Sequence, residues 1–460
     1  MRVRQLCRLI CCGMIVLAVP GAGQTIRLPA VRRERLPNGI QVVLMPYRRA
    51  PLLTVIAQFP GGKQAVPPGK EGVEQVTAEV LRKGTGQRNA LQIAEEIEFL
   101  GGALDTGADA DRLTVVLRVL AKDADAGLDL MADIVRNPTF PQEEVVRARD
   151  LSMAGLQALS ESTDALADYV LPGLLYGNHP YGRSASVKSL SRLTREDVLD
   201  YYARVCAPDR MTLVAVGDFE PEAMLERVRA RFGSWEKSAS PRMDAGAPVA
   251  GPPSVLIVDR PDATQTQVRL ARLALPRKHP DFFPSLVAAT LLGGGFTSRL
   301  TGEVRVRRSL TYGIDAFFER YQCGGSLIIA TFTRVPTTGE ILRVVREVLR
   351  RTASKGFSPA ELNRAKNYLS GQFAIRLQSP QTLARELASM TFFELPQDYL
   401  RTYLQRIRAV TLADVNRVAQ RYFAPEAFSI VLVGPASAIQ AQWPDKKRVA
   451  VRPAGQIGRE

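Results

Sequence analysis

Apolar residues along this chain recur with the two spacings of regular structure, two residues for strands and three to four for helices. A helix begins at Asn89, a favourable N-cap, and ends at Gly101 and Gly102. The other predicted elements are strands at 40–45, 52–59, 113–120, 255–258 and 326–333, and helices at 142–159 and 282–292. Because helices and strands mix without strict alternation, we expect an α+β fold built on antiparallel sheets.

A shift of 217 residues aligns the chain with itself. Residues 194–217 then match 411–434 without a gap, and nine of the twenty-four positions are identical. Each copy predicts a Thr-capped helix, an Ala-Pro turn and an apolar strand that ends in Val-x-Val-Gly. The repeat therefore predicts two homologous domains.

The composition between the two copies indicates the domain boundary. Residues 238–253 are rich in Pro, Ala and Gly and lack periodicity, which is typical of a linker. The predicted organisation is a signal peptide at 1–23, a first domain at 30–237, a linker at 238–253, a second domain at 254–440 and a tail at 441–460.

The N-terminus has the residue order of a secretory signal. Arg2 and Arg4 precede a short apolar run, and small or turn-forming residues follow at 20–23. We therefore expect cleavage close to Gln24 and export to the periplasm or another extracytoplasmic space. The alternative is an uncleaved N-terminal anchor, so membrane association stays open.

Charge and composition narrow the function further. Of the 460 residues, 61 are Lys or Arg and 46 are Asp or Glu, and this basic surplus raises the question of nucleic acid. The basic residues are scattered, however, and aromatic residues make up only 7% of the chain, too few for a base-stacking platform. The sequence therefore favours an Arg-rich soluble protein that binds no nucleic acid.

Histidine and cysteine are scarce in this chain. His179 and His279 are the only histidines, which excludes a histidine-rich zinc site, and neither lies in the signature of a Ser-His-Asp triad. After signal cleavage only Cys206 and Cys323 remain, too few for a disulfide scaffold. These two cysteines either pair with each other or stay separate thiols.

Short motifs follow one another in a fixed order. In the first half they are Leu36-Pro37-Asn38-Gly39, Lys83-Gly84-Thr85, Gly101-Gly102, His179-Pro180-Tyr181-Gly182 and Val216-Gly217-Asp218. In the second half they are Leu292-Gly293-Gly294-Gly295 and Ser298-Arg299-Leu300. Their order and spacing resemble the pitrilysin/insulinase-like zinc peptidases, the inverzincins, over roughly residues 36–435. The resemblance implies two homologous α+β domains that enclose a peptide-binding chamber.

The resemblance also implies an inverted zinc motif, His-x-x-Glu-His, on the helix before the Lys-Gly-Thr turn. In that motif both histidines bind one zinc, and the glutamate activates the metal-bound water. Here the histidine positions are Gln75 and Glu79, and the base position is Ala78. The third ligand position falls at Gly155 or Leu156. We therefore expect this chain to hold no metal.

A different metal site is the alternative interpretation of this helix. Gln75 and Glu79 share a helical face, and Glu74 precedes them directly. An amide oxygen with one carboxylate is a poor ligand set for zinc, and Ala78 leaves no general base. We therefore favour a solvated or interface helix.

One part of the family's catalytic apparatus is present in the second half. By the resemblance, Arg305 and Tyr312, seven residues apart, correspond to an arginine and a tyrosine that reach over the substrate. Both side chains donate hydrogen bonds and suit a peptide carbonyl whose oxygen gains charge. In the family this pair comes from the half opposite the zinc, and in two-chain members from the partner chain.

Three hypotheses follow from these observations. The first is a non-catalytic subunit of an exported heterodimeric zinc peptidase, which closes the chamber and supplies Arg305 and Tyr312 to peptide substrates in the site of a zinc-bearing homologous partner. The second is a binding or assembly protein of the same fold without proteolysis. The third is an active peptidase, which the replaced zinc positions oppose. We favour the first, because a pure scaffold has no need of the Arg/Tyr pair.

Overall fold

Two six-stranded sheets, one in each half of the chain, organise the protein. The computed structural model describes residues 28–236, 245–443 and 449–460. The first sheet has the order β1-β2-β6-β3-β5-β4, and its strands are β1 (Arg32–Arg35), β2 (Gln41–Pro46), β3 (Leu52–Pro60), β4 (Ala103–Ala108), β5 (Arg112–Leu120) and β6 (Thr212–Gly217). The second sheet has the order β12-β7-β11-β8-β10-β9, and its strands are β7 (Val255–Asp259), β8 (Gln265–Ala274), β9 (Ile314–Arg320), β10 (Gly325–Arg334), β11 (Ser429–Gly434) and β12 (Val449–Pro453).

Helices pack on both sheets. Those of the first half are α1 (Val73–Val80), α2 (Ala90–Phe99), α3 (Ala124–Arg136), α4 (Gln142–Ala158), α5 (Thr163–Tyr176), α6 (Val187–Ser191), α7 (Arg195–Val205) and α8 (Pro221–Phe232). Those of the second half are α9 (Phe282–Leu292), α10 (Thr338–Lys355), α11 (Pro359–Arg376), α12 (Pro380–Phe392), α13 (Tyr399–Ala409), α14 (Leu412–Tyr422) and α15 (Ala436–Ala441), together with a π-helix at Thr301–Arg307. The α+β fold with two homologous domains is therefore confirmed.

The sheets are mixed, whereas the sequence predicted antiparallel ones. In the first sheet β2 and β6 run parallel, and in the second sheet β7 runs parallel to both β11 and β12. The remaining strand pairs are antiparallel. The physical reason is the path of the repeated strand, β6 or β11, which follows a helix. It inserts between two earlier strands of its own half and runs parallel to one of them, β2 or β7.

Capping explains where several helices begin. The Asn89 side chain accepts a hydrogen bond from the Gln92 backbone N–H, and the Gln92 side chain accepts one from the Asn89 N–H. This reciprocal pair satisfies two of the N–H groups that a helix start leaves without partners. Thr194 with Asp197 on α7, and Thr411 with Asp414 on α14, form the same capping box at equivalent positions of the repeat.

The two halves exchange equivalent helices. Helix α12 starts 380 − 163 = 217 residues after α5, the offset of the sequence repeat. Helix α5 leaves the first half and packs on β8 and β11 of the second sheet, while α12 packs on β3 and β6 of the first. The buried guanidinium of Arg269 on β8 bonds Asp164 and Asp168 on α5, at 2.5 and 2.8 Å. The halves therefore share their cores.

The predicted tail at 441–460 contains regular structure. Residues Val449–Pro453 form the edge strand β12, and the Gly458 carbonyl accepts a hydrogen bond of 2.7 Å from the Val187 N–H in the first half. The reason is the unpaired edge of β7, which offers backbone partners to a segment too short to read as a strand. The predicted signal peptide at 1–23 lies outside the described residues, as do residues 237–244 of the linker region. Residues 245–253 form no helix or strand. Across the described residues, no helix is both long and apolar enough to cross a membrane.

Candidate functional site

Helix α1 carries the positions of the inverted zinc motif. Val73, Val76 and Val80 are buried and fasten one face of the helix to the first core. Gln75 is exposed, and its Nε2 donates a hydrogen bond of 2.7 Å to the carbonyl of Ala108 at the end of β4. The amide group at the first ligand position therefore ties the helix to the edge of the sheet.

The other motif positions offer no metal ligands either. Ala78 is buried and presents a methyl group where the family has its general base. The Glu79 carboxylate forms ion pairs with Lys83 at 3.3 Å and Arg82 at 3.5 Å, both in the turn after its helix. Gly155 lies exposed on the neighbouring helix α4 and has no side chain. Zinc therefore does not fit this set of residues.

Glu74 does not complete a metal site. Its side chain is buried, and its carboxylate accepts a hydrogen bond of 3.0 Å from the Gly72 N–H at the start of α1. Burial raises the pKa of Glu74, which makes the carboxylate a poorer cation ligand at a given pH. In the part of the chain that the structure describes, no group of three or more His, Cys, Asp or Glu side chains could hold a metal ion.

The side chains of Arg305 and Tyr312 lie together and form a stack with a third side chain, Phe296. The Arg305 guanidinium carbon is 4.6 Å from the ring centre of Tyr312 and 4.5 Å from that of Phe296. Both rings are largely exposed, with Tyr312 at 77% and Phe296 at 68%. Sequence analysis missed Phe296, although it directly follows the three glycines at 293–295. The stack holds the guanidinium in place, and in the described residues no carboxylate forms an ion pair with it.

The backbone under this stack is held by buried contacts. Leu300, Val304 and Leu310 are buried, and the Leu310 N–H donates to the Val304 carbonyl at 3.0 Å. The Thr333 hydroxyl on β10 donates to the Leu310 carbonyl at 2.7 Å. Ser309 has a φ of 52°, in the left-handed region, where the π-helix ends and the chain turns toward Tyr312. The backbone segment that carries Arg305 and Tyr312 is therefore held in place by buried side chains and hydrogen bonds, and it serves as a fixed frame for the two side chains.

His179 and the two cysteines pack against neighbouring residues of the fold. The His179 Nδ1 accepts a hydrogen bond of 3.2 Å from the Tyr181 N–H, and its ring packs on Tyr181. Cys206 is buried and Cys323 is partly exposed, and no disulfide joins the two. Burial raises the pKa of the Cys206 thiol, so this group stays protonated at neutral pH.

Sequence analysis also missed a polar cluster between the halves. Asp111, at the start of β5, is buried and accepts hydrogen bonds from Gln64 Nε2 at 2.6 Å, from the Tyr181 hydroxyl and from the Gln322 backbone N–H at 2.9 Å. Gln322 belongs to the second half, whereas the other residues belong to the first. No local spacing in the sequence indicates this cluster.

Comparisons with known proteins agree with this geometry. The family model described as insulinase (peptidase family M16) matches residues 54–186, and the model described as the peptidase M16 inactive domain matches residues 192–369. Together the two models match most of the chain. This protein belongs to the insulinase-like peptidase family M16. The M16 models cover α1 with its replaced zinc positions and the segment that carries Arg305 and Tyr312.

Individual relatives cover nearly all of this M16 chain. An uncharacterized zinc protease of Mycobacterium tuberculosis is 29% identical over 413 residues, which is 88% of this chain and 93% of the relative. The probable mitochondrial-processing peptidase subunit beta of Arabidopsis thaliana is 24% identical over 420 residues, or 88% and 79%. A crystal structure of a peptidase M16 inactive domain from Pseudomonas fluorescens superimposes with a TM-score of 0.83 at 26% identity, over 92% of this chain and 99% of that one.

Proposed function

We propose that this protein is a zinc-less, non-catalytic M16 subunit that pairs with a zinc-bearing homologous subunit outside the cytoplasm. One observation carries the proposal. The positions that would bind and use zinc are an amide, a methyl group, an ion-paired carboxylate and a glycine, whereas Arg305 and Tyr312 are held together on a fixed frame. The similarity to a structure described as an inactive domain supports the same division of roles.

The Arg/Tyr stack suits the binding of a peptide in the partner's site. The Arg305 guanidinium contacts two aromatic rings and forms no ion pair among the described residues, so its N–H groups stay available to a peptide carbonyl. The Tyr312 hydroxyl, on a side chain that is 77% exposed, is a second donor. Donors fixed in advance stabilise an oxygen that gains negative charge, because they need no reorganisation during the reaction. In this proposal the partner holds the zinc, and this chain closes the chamber and orients the peptide.

The alternative function is a binding or assembly protein of the same fold that takes no part in proteolysis. A reconstituted pair separates the two functions. The mature chain is co-expressed with an exported homologue that carries an intact His-x-x-Glu-His motif, and peptide turnover is measured for the wild-type pair and for pairs with Tyr312→Phe or Arg305→Ala. Loss of one preorganised donor is expected to lower turnover roughly 100-fold to 1,000-fold.

Arg308→Ala is the matched control. Arg308 is an exposed arginine three residues from Arg305, and in the described residues it contacts neither aromatic ring. The complex that contains Arg308→Ala should retain wild-type turnover. A sizing column should show that all variants assemble with the partner, and the partner should still hold its zinc. Turnover close to wild type with both Tyr312→Phe and Arg305→Ala would reject the proposed role and leave the assembly function.

A further inference from the structure

A small pocket lies directly beside the Arg/Tyr stack. Its volume is about 170 Å³, and it opens between the loop that follows α9 and the outer face of α11. The residues that line it include Phe296, Ser298, Glu361, Arg364, Ala365 and Tyr368. Pockets for drug-sized ligands measure roughly 300–1,000 Å³, so this one is suited to a single side chain.

Exposed aromatic rings connect the pocket to the stack. Phe296 lines the pocket and contacts the Arg305 guanidinium, which in turn contacts Tyr312. Tyr368 also lines the pocket and is 47% exposed. Contiguous exposed apolar surface of this kind marks an interaction site, because its contact with water is unfavourable until a ligand covers it.

The charge of the pocket is positive. Glu361 forms a bidentate ion pair with Arg299, at 2.7 and 2.9 Å. Burial acts to raise the pKa of Glu361, but the hydrogen bonds from Arg299 and Ser358 outweigh it and lower the pKa to about 2, so the carboxylate is ionised and its charge is balanced by Arg299. Arg364 also lines the pocket. Among the residues that the structure describes, Arg364 has no ion pair or hydrogen bond. The free guanidinium therefore complements a carboxylate on a ligand.

We propose that this pocket is a subsite for one aromatic or large aliphatic side chain of the peptide substrate, and that Arg364 binds a carboxylate on the adjacent peptide residue. The proposal rests on the proposed function, in which a peptide lies along Arg305 and Tyr312. It adds a substrate class, namely peptides that carry a bulky apolar residue next to an acidic one. The pocket and the stack share Phe296, so one extended peptide reaches both.

The test measures binding to the full mature chain alone, without partner or zinc. Fluorescein-labelled nonapeptides of Gly and Ser carry Phe-Glu, Phe-Lys or Ala-Glu at the centre, and anisotropy titrations compare their dissociation constants. Burial of a phenylalanine side chain should make the Phe-Glu peptide bind at least about tenfold more tightly than the Ala-Glu peptide. The partly exposed ion pair should make it bind up to about fivefold more tightly than the Phe-Lys peptide.

Arg364→Gln should abolish the preference for Phe-Glu over Phe-Lys and keep the preference for Phe-Glu over Ala-Glu. Arg343→Gln, an exposed arginine on α10 outside the pocket, is the matched control and should change neither preference. Equal affinities for the three peptides, no measurable binding, or a preference unaffected by Arg364→Gln would overturn the subsite. The turnover experiment with Tyr312→Phe can fail while these preferences remain, so failures of the two proposals are distinguishable.

Discussion

Replacement of Asp111 by alanine is expected to weaken the contact between the two halves and destabilise the whole protein. Asp111 is 3% exposed, and its two carboxylate oxygens accept three hydrogen bonds, from Gln64, Tyr181 and the Gln322 backbone. Burial raises the pKa of Asp111 and opposes its ionisation, while the bonds from Tyr181 and Gln64 favour the ionised form. Alanine removes the acceptor from three donors, of which the Tyr181 hydroxyl is buried, whereas Gln64 is partly exposed and Gln322 is exposed.

The size of the effect follows from those donors. A buried donor without a partner costs about 1–3 kcal/mol, and water that enters the space left by the side chain recovers part of that cost. Because one of the three donors is buried and two are partly accessible to water, we expect a loss of about 2–4 kcal/mol in the free energy of unfolding. Because a domain is stable by only about 5–15 kcal/mol, this loss is large. Asp111→Asn keeps one acceptor oxygen and should cost less.

Urea denaturation monitored by circular dichroism provides the measurement. The control is Asp105→Ala on the edge strand β4, since Asp105 is 58% exposed in its side chain and pairs with Arg118. An exposed ion pair contributes about 0–1 kcal/mol, so the control should remain close to wild type. Hydrogen exchange at the Gln322 amide should accelerate in Asp111→Ala alone. A loss within about 1 kcal/mol of wild type for Asp111→Ala would refute this account of the contact between the halves.

Three further changes probe the site and the exchanged helices. The triple variant Gln75→His, Ala78→Glu, Glu79→His should still hold no stoichiometric zinc by elemental analysis of the purified chain, since Gly155 supplies no third ligand; one zinc per chain would contradict this. Arg269→Met should lower stability by about 1–3 kcal/mol in urea, because it removes two charge-assisted hydrogen bonds between the halves while Asp164 and Asp168, at 65% and 61% exposed, stay solvated; a change below about 0.5 kcal/mol would count against the exchange of α5. Glu361→Gln should lower the melting temperature at pH 7 by removing one charge of the Glu361–Arg299 pair. The folded pKa of Glu361, about 2, lies below its ordinary value of 4.5, so the stabilisation by Arg299 and the Ser358 hydrogen bonds is present above pH 4.5 and disappears as the pH falls toward 2; a difference between variant and wild type that persists near pH 2 would contradict this assignment.

The sequence by itself determined the local features of this protein. The helix at 282–292 was predicted with its observed bounds, and the helix at 142–159 ends one residue earlier, at Ala158. These elements depend on residues three or four positions apart and on a capping side chain such as Asn89, which a sequence displays directly. The replaced zinc positions were equally visible, because the presence of a ligand atom is a property of the residue type.

Only the tertiary structure decided which elements meet. An apolar helix face shows that α5 and α12 are buried, but it does not show that each packs on the sheet of the other half. The same holds for Phe296, which joins the Arg305 stack, and for Asp111, whose partner Gln322 is 211 residues away. Such contacts depend on the path of the whole chain, since hydrophobic burial rewards removal of surface from water without specifying the partner. The sequence therefore indicated which groups were available, and the fold decided which of them came together.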